Sequence, residues 1–321
     1  MIRIGLIGVG HLGKIHLNNL LQLKDSFELI GFLEFNDEVA SQIESEFEIR
    51  RFYSYSGMLE MVDAVDIVTP TVSHFEYAYE AIRHRKHVFV EKPMVENVEE
   101  AKKLVSLVEE ADVCLQVGHV ERFNPAFKEA LQYLTEPMFI ETHRLAQFNP
   151  RGTDVPVVLD LMIHDIDIIL SVVKSRVKKV SASGVSVVSD TNDIANARIE
   201  FENGCVANLT ASRISMKNMR KSRFFQKDAY ISVDFLNKEL EVVKMNHLEG
   251  EEDPFDIILD LGKKGKRKIE ILKTEINTSN AIKEELISFY ESIKTNNLPL
   301  VSHLDGASSM ELAFDIISKM Q

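Results

Sequence analysis

The sequence predicts an α/β protein in two parts: an N-terminal doubly wound parallel sheet, then a C-terminal α+β domain whose sheet is mostly antiparallel. Three observations predict this. From Ile2 to about Val120, short apolar runs alternate with stretches of helical apolar spacing, the pattern of parallel βαβ units buried on both faces. After about Arg122 the texture changes to strand-like segments separated by turn signals such as Glu202-Asn203-Gly204, as in an antiparallel sheet. The length, 321 residues, suits two packed domains. The expected division is residues 1–121 and 122–321, with the C-terminal helix free to pack back on the first domain.

The elements follow in order. Ile2–Ile7 reads as a buried strand and Lys14–Leu23 as a helix. Glu28–Leu33, Val65–Thr69, His87–Val90 and Val113–Val117 are further strands; Val39–Phe47, Phe75–Arg83 and Val98–Glu110 are further helices. In the second part, a helix over Asn124–Tyr133 precedes a strand near Met138–Leu145 and a helix from about Val158 to Val173. Lys178–Val188, Ala195–Glu200, Cys205–Ser212, Ala229–Asp234 and Lys238–Val243 read as strands, and Asn280–Lys294 and Ala307–Lys319 as closing helices. Leu248–Pro254 and Gly262–Lys268 are charged and read as loops.

Composition narrows the class. No apolar run approaches the roughly 20 residues that span a bilayer, and the chain enters a strand at Ile2, leaving no room for a signal peptide. Cys114 and Cys205 are the only cysteines, which suits a reducing cytoplasm. A net charge of -13 argues against nucleic-acid binding, since a polyanion is repelled overall.

Gly8-Val9-Gly10-His11-Leu12-Gly13 follows a strand and opens a helix. Gly8 allows the tight turn, Gly10 admits a pyrophosphate to the backbone, and Gly13 lets helix and strand approach. The helix N-terminus then offers N–H groups to phosphates. Glu34, 21 residues past Gly13, ends the next apolar strand, where a carboxylate accepts both ribose hydroxyls. This is a Rossmann site. Glu34 repels a 2′-phosphate and neither Phe35 nor Asn36 supplies a cation, so the cofactor is expected to be NAD in preference to NADP.

Further polar residues fall where ligands bind in an open parallel sheet, beyond the carboxyl ends of its strands. Thr69-Pro70 with His74 follows one strand, and Glu91-Lys92-Pro93 follows the next. In the second domain Asp160 and His164 are spaced i, i+4 on a predicted helix, with Asp167 extending the stripe.

GVGHLG, TP-x-x-x-H, EKP and D-x-x-x-H, in this order over essentially the whole chain, resemble the Gfo/Idh/MocA oxidoreductase family. The resemblance implies that Lys92 and His164 lie near the substrate carbon that loses hydride, and that Asp160 is the family's aspartate. It also implies a cis peptide before Pro93, and contacts to cofactor from Gly8, Gly10, His11, Leu12, Gly13, Glu34, Thr69, Pro70, His74, Glu91 and Lys92. The chemistry suits the residue types. Histidine titrates near neutrality and serves as base for a hydroxyl proton; a lysine ammonium stabilises developing oxyanion charge, or acts as base if its pKa is depressed. Asp160 orients a substrate hydroxyl or His164.

Val117–Pro125 and Arg151-Gly152-Thr153-Asp154 resemble the UDP-N-acetylglucosamine 3-dehydrogenase branch of that family. This implies a sugar or nucleotide-sugar substrate, with His119, Glu121, Arg122 and Asn124 lining its pocket and Arg122 or Arg151 pairing with a diphosphate. The chain departs from the wider family at Val157-Val158 and Met162, where glycines are usual. A basic cluster from Lys217 to Lys227, with Arg213, Arg220, Lys221 and Arg223, reads equally as a nucleotide contact or a solvated loop. Asp160, His164, His119 and Glu121 have some ligand character, but with no HExxH or cysteine set no metal is expected. An NAD-using glycoside hydrolase of the same fold and a non-catalytic NAD-binding regulatory protein are the alternative functions. The uncovered face of the second sheet, with strands that alternate apolar and polar, predicts a homodimer or homotetramer.

Overall fold

A computed structural model describes residues 1–149, 155–248, 256–274 and 276–320. The chain divides into two compact units: residues 1–123 with 280–314, and residues 124–279 with 315–321.

The first unit is a six-stranded parallel sheet. Its strands are β1 (Ile2–Ile7), β2 (Phe27–Leu33), β3 (Arg51–Phe52), β4 (Ala64–Ile67), β5 (His87–Glu91) and β6 (Leu115–Gly118), in the order β3-β2-β1-β4-β5-β6. This is the doubly wound order, which reverses direction beside β1 and so creates a crevice at the strand ends. Helices α1 (His11–Gln22), α2 (Asp37–Phe47), α3 (Tyr55–Leu59), α4 (His74–Arg83) and α5 (Val98–Ala111) connect the strands. Asn36 and Asn97 begin α2 and α5 by accepting backbone N–H bonds, and Glu48 and Asp112 end them in the left-handed conformation. Sequence reading passes over β3 and α3, which are too short to show a period.

The second unit contains α6 (Pro125–Ala130), β7 (Phe139–Leu145) and α7 (Ile163–Val172). Strands β8 (Val177–Val185), β9 (Ile194–Phe201), β10 (Val206–Ser212), β11 (Met219–Gln226), β12 (Ala229–Asp234), β13 (Glu239–His247), β14 (Ile257–Asp260) and β15 (Lys266–Lys273) follow. The nine strands are ordered β14-β15-β13-β12-β11-β7-β10-β9-β8. All neighbours are antiparallel except β7 and β10. Then α8 (Ala281–Thr295) and α9 (His303–Lys319) close the chain. Helix α8 and α9 through Phe314 belong to the first unit. There Leu286 and Phe289 complete a core with Ile2, Ile4, Phe27 and Phe89.

The expected fold class holds, with local corrections. The basic cluster is not a loop: Met219–Gln226 is β11, a strand inside the sheet. Its charges mask a period of two, in which Ser222 and Phe224 are fully buried while Arg223 turns out to pair with Glu141 at 3.1 Å. The stretch read as loop at Gly262–Lys268 runs from a short turn into β15, whose alternation is hidden because the strand lies near the sheet edge and buries neither face fully. Of the loop read at Leu248–Pro254, only Leu248 lies within the described residues. Helix α6 stops at Ala130, short of Tyr133. The helix expected over Val158–Val173 opens as a wide π turn, Val158–Met162, before regular α geometry sets in. No described helix is long and apolar enough to cross a membrane.

Candidate active site

Gly8 leaves β1 with φ of 86°, and a Cβ on it would lie 2.8 Å from the Val68 carbonyl oxygen. That backbone conformation and that approach both require glycine. A Cβ on Gly13 would lie 2.1 Å from the Gly8 carbonyl oxygen, whereas one on Gly10 meets no protein atom within 4 Å. Two glycines therefore serve internal packing, and the third keeps an open approach to the start of α1. No side chain caps that helix and no acidic residue stands in its first turn, so its N–H groups and dipole face outward as an anion cradle. His11 and Leu12 are exposed there.

Glu34 is fixed beside this cradle. Its Oε2 accepts the Val9 N–H at 3.3 Å and its Oε1 the Asn36 N–H at 2.9 Å. These bonds aim a carboxylate next to the glycine loop, where an adenosine ribose is recognised. The tertiary fold also brings Arg51 close, from β3. Its guanidinium is engaged by the Glu34 carbonyl at 2.8 Å and the Asp37 carboxylate at 2.7 Å. The residues present thus fit an NAD adenosine and pyrophosphate.

The next two strand ends form a braced pair of turns. His74 is buried with Nδ1 2.9 Å from the Pro93 carbonyl oxygen and Nε2 2.8 Å from that of Thr69. Burial holds it below its ordinary pKa against the pull of these carbonyls. It ties the Thr69-Pro70 turn to the Lys92-Pro93 turn from inside. Ser73 Oγ donates to Thr69 Oγ1 at 2.8 Å. The Lys92–Pro93 peptide is cis, as the family resemblance implies. Glu91 is also internal: it is buried, and its carboxylate receives the Lys92 N–H at 3.1 Å. Lys92 itself is half-buried.

The remaining predicted residues divide. His119, Glu121, Arg122 and Asn124 are all buried. Arg122 pairs with Asp305 at 3.2 Å, whose other oxygen accepts from Ser302. Asn124 caps α6 and donates to the Phe235 carbonyl at 3.0 Å. Arg151 lies outside the described residues. In the second unit Asp160 stands in the π turn and His164 in the first turn of α7, both half-buried; π turns recur at functional sites. Asp167 is buried.

Sequence reading misses two buried charge groups. Asp165, next to His164, is gripped by Arg144 of β7 through two bonds of 3.2 and 3.0 Å. His16 of α1 contacts Asp66 and Glu91, with Glu285 of α8 nearby. The available signal is an acid on an otherwise apolar face, as with Asp66 in Ala64-Val65-Asp66-Ile67 and Glu285 amid Ile282, Leu286 and Phe289.

An uncapped helix start after a glycine turn, with a carboxylate at the end of the neighbouring strand, fits a dinucleotide-binding unit. Residues 2–119 match the GFO/IDH/MocA oxidoreductase family, NAD-binding Rossmann fold, and residues 139–228 match the GFO/IDH/MocA C-terminal domain. The chain is 40% identical over 246 residues to the UDP-N-acetylglucosamine 3-dehydrogenase of Acidithiobacillus ferrooxidans, covering 75% of this chain and 76% of that one. It is 25% identical over 330 residues to a scyllo-inositol 2-dehydrogenase (NAD(+)) of Bacillus subtilis, covering 97% and 92%. Among solved structures it is similar to the UDP-N-acetylglucosamine 3-dehydrogenase GnnA of A. ferrooxidans, with a TM-score of 0.89 and 33% identity over 99% of this chain and 97% of that one. The chain belongs to the Gfo/Idh/MocA family of NAD-binding oxidoreductases.

Proposed function

We propose that the protein oxidises a hydroxyl of a nucleotide sugar, the C3 hydroxyl of UDP-N-acetylglucosamine, to the ketone. The observation that carries this reading is the likeness to GnnA along 99% of the chain, stronger than any likeness to the inositol dehydrogenases. Bound NAD supplies the hydride acceptor. Gly10, in the turn that Gly8 and Gly13 shape, and Glu34 hold its pyrophosphate and adenosine, and Thr69 and Pro70 border it. His164 takes the hydroxyl proton, a task suited to a side chain that titrates near neutrality. The Lys92 ammonium donates a hydrogen bond to the same oxygen as negative charge develops on it. Asp160, one turn before His164, orients His164 or a neighbouring hydroxyl. His119 and Glu121 contact the sugar.

Two further statements belong to this reading. The outer face of the second sheet carries Met219, Phe225 and Ile271, each more than a third exposed, which favours a homodimer or homotetramer that covers it; light scattering after size exclusion tests this. The two cysteines are unpaired, in keeping with the cytoplasm.

The test is NADH formation, followed by nicotinamide absorbance, with NAD or NADP and a panel of UDP-sugars, free sugars and inositols. Expected is turnover with UDP-N-acetylglucosamine and NAD, reduced at least about 10³-fold in Lys92→Ala/His164→Ala. Turnover only with an inositol or free sugar refutes the substrate. Sugar cleavage without net NADH points to a hydrolase.

A further inference from the structure

The first unit buries four ionisable side chains from four elements. His16 of α1 has a carboxylate at each ring nitrogen: Nδ1 is 2.9 Å from Asp66 Oδ2 on β4, and Nε2 is 3.2 Å from Glu91 Oε1 on β5. Glu285 of α8 completes the group, and the ring of Phe89 meets His16 edge-on with centroids 5.6 Å apart. Two carboxylates thus stand at ion-pair distance from one buried ring. Burial opposes that charge, but Asp66 and Glu91 together outweigh it and hold His16 well above its ordinary pKa. The same cation keeps Glu91 ionised against burial, with help from the Lys92 ammonium. Burial and the neighbouring carboxylates keep Glu285 protonated.

What the cation holds is the turn that carries Lys92. Glu91 Oε2 accepts the Lys92 backbone N–H at 3.1 Å. The carboxylate lies across β6 at Gly118, where a Cβ would come within 2.7 Å of Oε1, so the glycine leaves Glu91 the place it occupies. On the far side of Lys92, His74 grips the Pro93 carbonyl. Lys92 thus stands between two imidazole clamps, one cationic and one held below its ordinary pKa.

We propose that His16 is a positioning residue for Lys92: as a buried cation between Asp66 and Glu91, it fixes the carboxylate that anchors the Lys92 backbone and so sets where the ammonium reaches. The proposal rests on the assignment of Lys92 to the reaction. A divalent cation among His16, Glu91 and Glu285, whose ligand atoms lie within 4.8 Å of one another, is the competing account. It requires a lone pair on Nε2, which here lies at ion-pair distance from the Glu91 carboxylate.

The experiment has a spectroscopic and a kinetic arm, both on the full chain. In protein labelled with ¹⁵N at histidine, one ring is expected to stay protonated at both nitrogens at a pH above the ordinary histidine value near 6.5, where free imidazole is neutral; that signal is absent from His16→Gln. Kinetically, His16→Gln and Asp66→Asn lower kcat about 10- to 100-fold, the scale of a misplaced reacting group, with KM for NAD changed less than about threefold. His16→Gln/Glu91→Gln is no slower than the slower single variant, because both act through one contact. A neutral His16 in the wild-type spectrum overturns the proposal even if no variant folds. So does an unchanged kcat in folded His16→Gln while Lys92→Ala is inactive. If Lys92→Ala keeps full activity, the assignment of Lys92 is what fails. Stoichiometric metal in the purified protein, with activity lost to chelator and restored by the metal, overturns the proposal in favour of a ligand set.

Discussion

Replacing Glu285 by glutamine tests whether its carboxyl is held neutral in the folded chain. Glu285 is fully buried, and among the described residues neither carboxyl oxygen has a hydrogen-bond partner. Burial first, then the charges of Glu91 and Asp66, raise its pKa well above the ordinary 4.5, against the pull of His16. The sign follows from proton counting. Above pH 4.5 the unfolded chain releases this proton and the folded chain keeps it, so the folded state binds more protons and stability falls as pH rises. The slope is about 1.4 kcal/mol per pH unit until the folded pKa is reached. Glutamine has nearly the same shape and no proton to release, so Glu285→Gln lacks this slope. Between about pH 5.5 and about pH 7.5 the variant therefore gains on the wild type, at up to that slope. The rise of His16 gives both proteins a similar decline above pH 6.5, which cancels in the difference. The chain has no tryptophan, so urea unfolding followed by far-ultraviolet circular dichroism is the measurement. Equal stability differences at the two pH values would refute the reasoning, because Glu285 would then be ionised in the fold.

Three other predictions follow from the site. Gly10→Ala keeps the wild-type unfolding midpoint yet weakens NAD about tenfold or more, because its methyl meets only the space the pyrophosphate needs; Gly13→Ala destabilises by about 1–3 kcal/mol through overpacking against the Gly8 carbonyl. Thermal unfolding with and without NAD separates the two effects. Glu34→Ala weakens NAD about 10- to 100-fold, the loss of hydrogen bonds to a charged group, and improves NADP by removing the repulsion of its 2′-phosphate; titration calorimetry with both cofactors reads this out. Asp165→Ala costs about 3–5 kcal/mol because it removes the carboxylate that the buried Arg144 guanidinium holds through two bonds, and Arg144→Met/Asp165→Leu recovers much of it in urea unfolding.

Much of this was legible in the linear sequence because it depends on local periodicity and local chemistry. Apolar runs alternating with amphipathic helices specify parallel units, and the glycine spacing with Glu34 specifies a dinucleotide cradle, whatever the rest of the chain does. The shift in texture after Arg122 marks the second sheet. Strands whose alternation is overlaid by charge, β11 and β15, were not legible, since lysine and arginine look alike whether solvated or paired across a sheet. Nor were the internal roles of His74 and Glu91, because each is defined by partners on other elements: His74 by the carbonyls of Thr69 and Pro93, Glu91 by His16. The pairing of Arg122 with Asp305 spans 183 residues, and Gln116 donates to the Glu285 carbonyl across 169. Most elements and the glycine–carboxylate cradle are written in local spacing along the chain. Which ionisable groups are buried against one another is settled by the fold, because burial, and with it the energy of a charge, is a property of packing between distant segments and not of spacing along the chain.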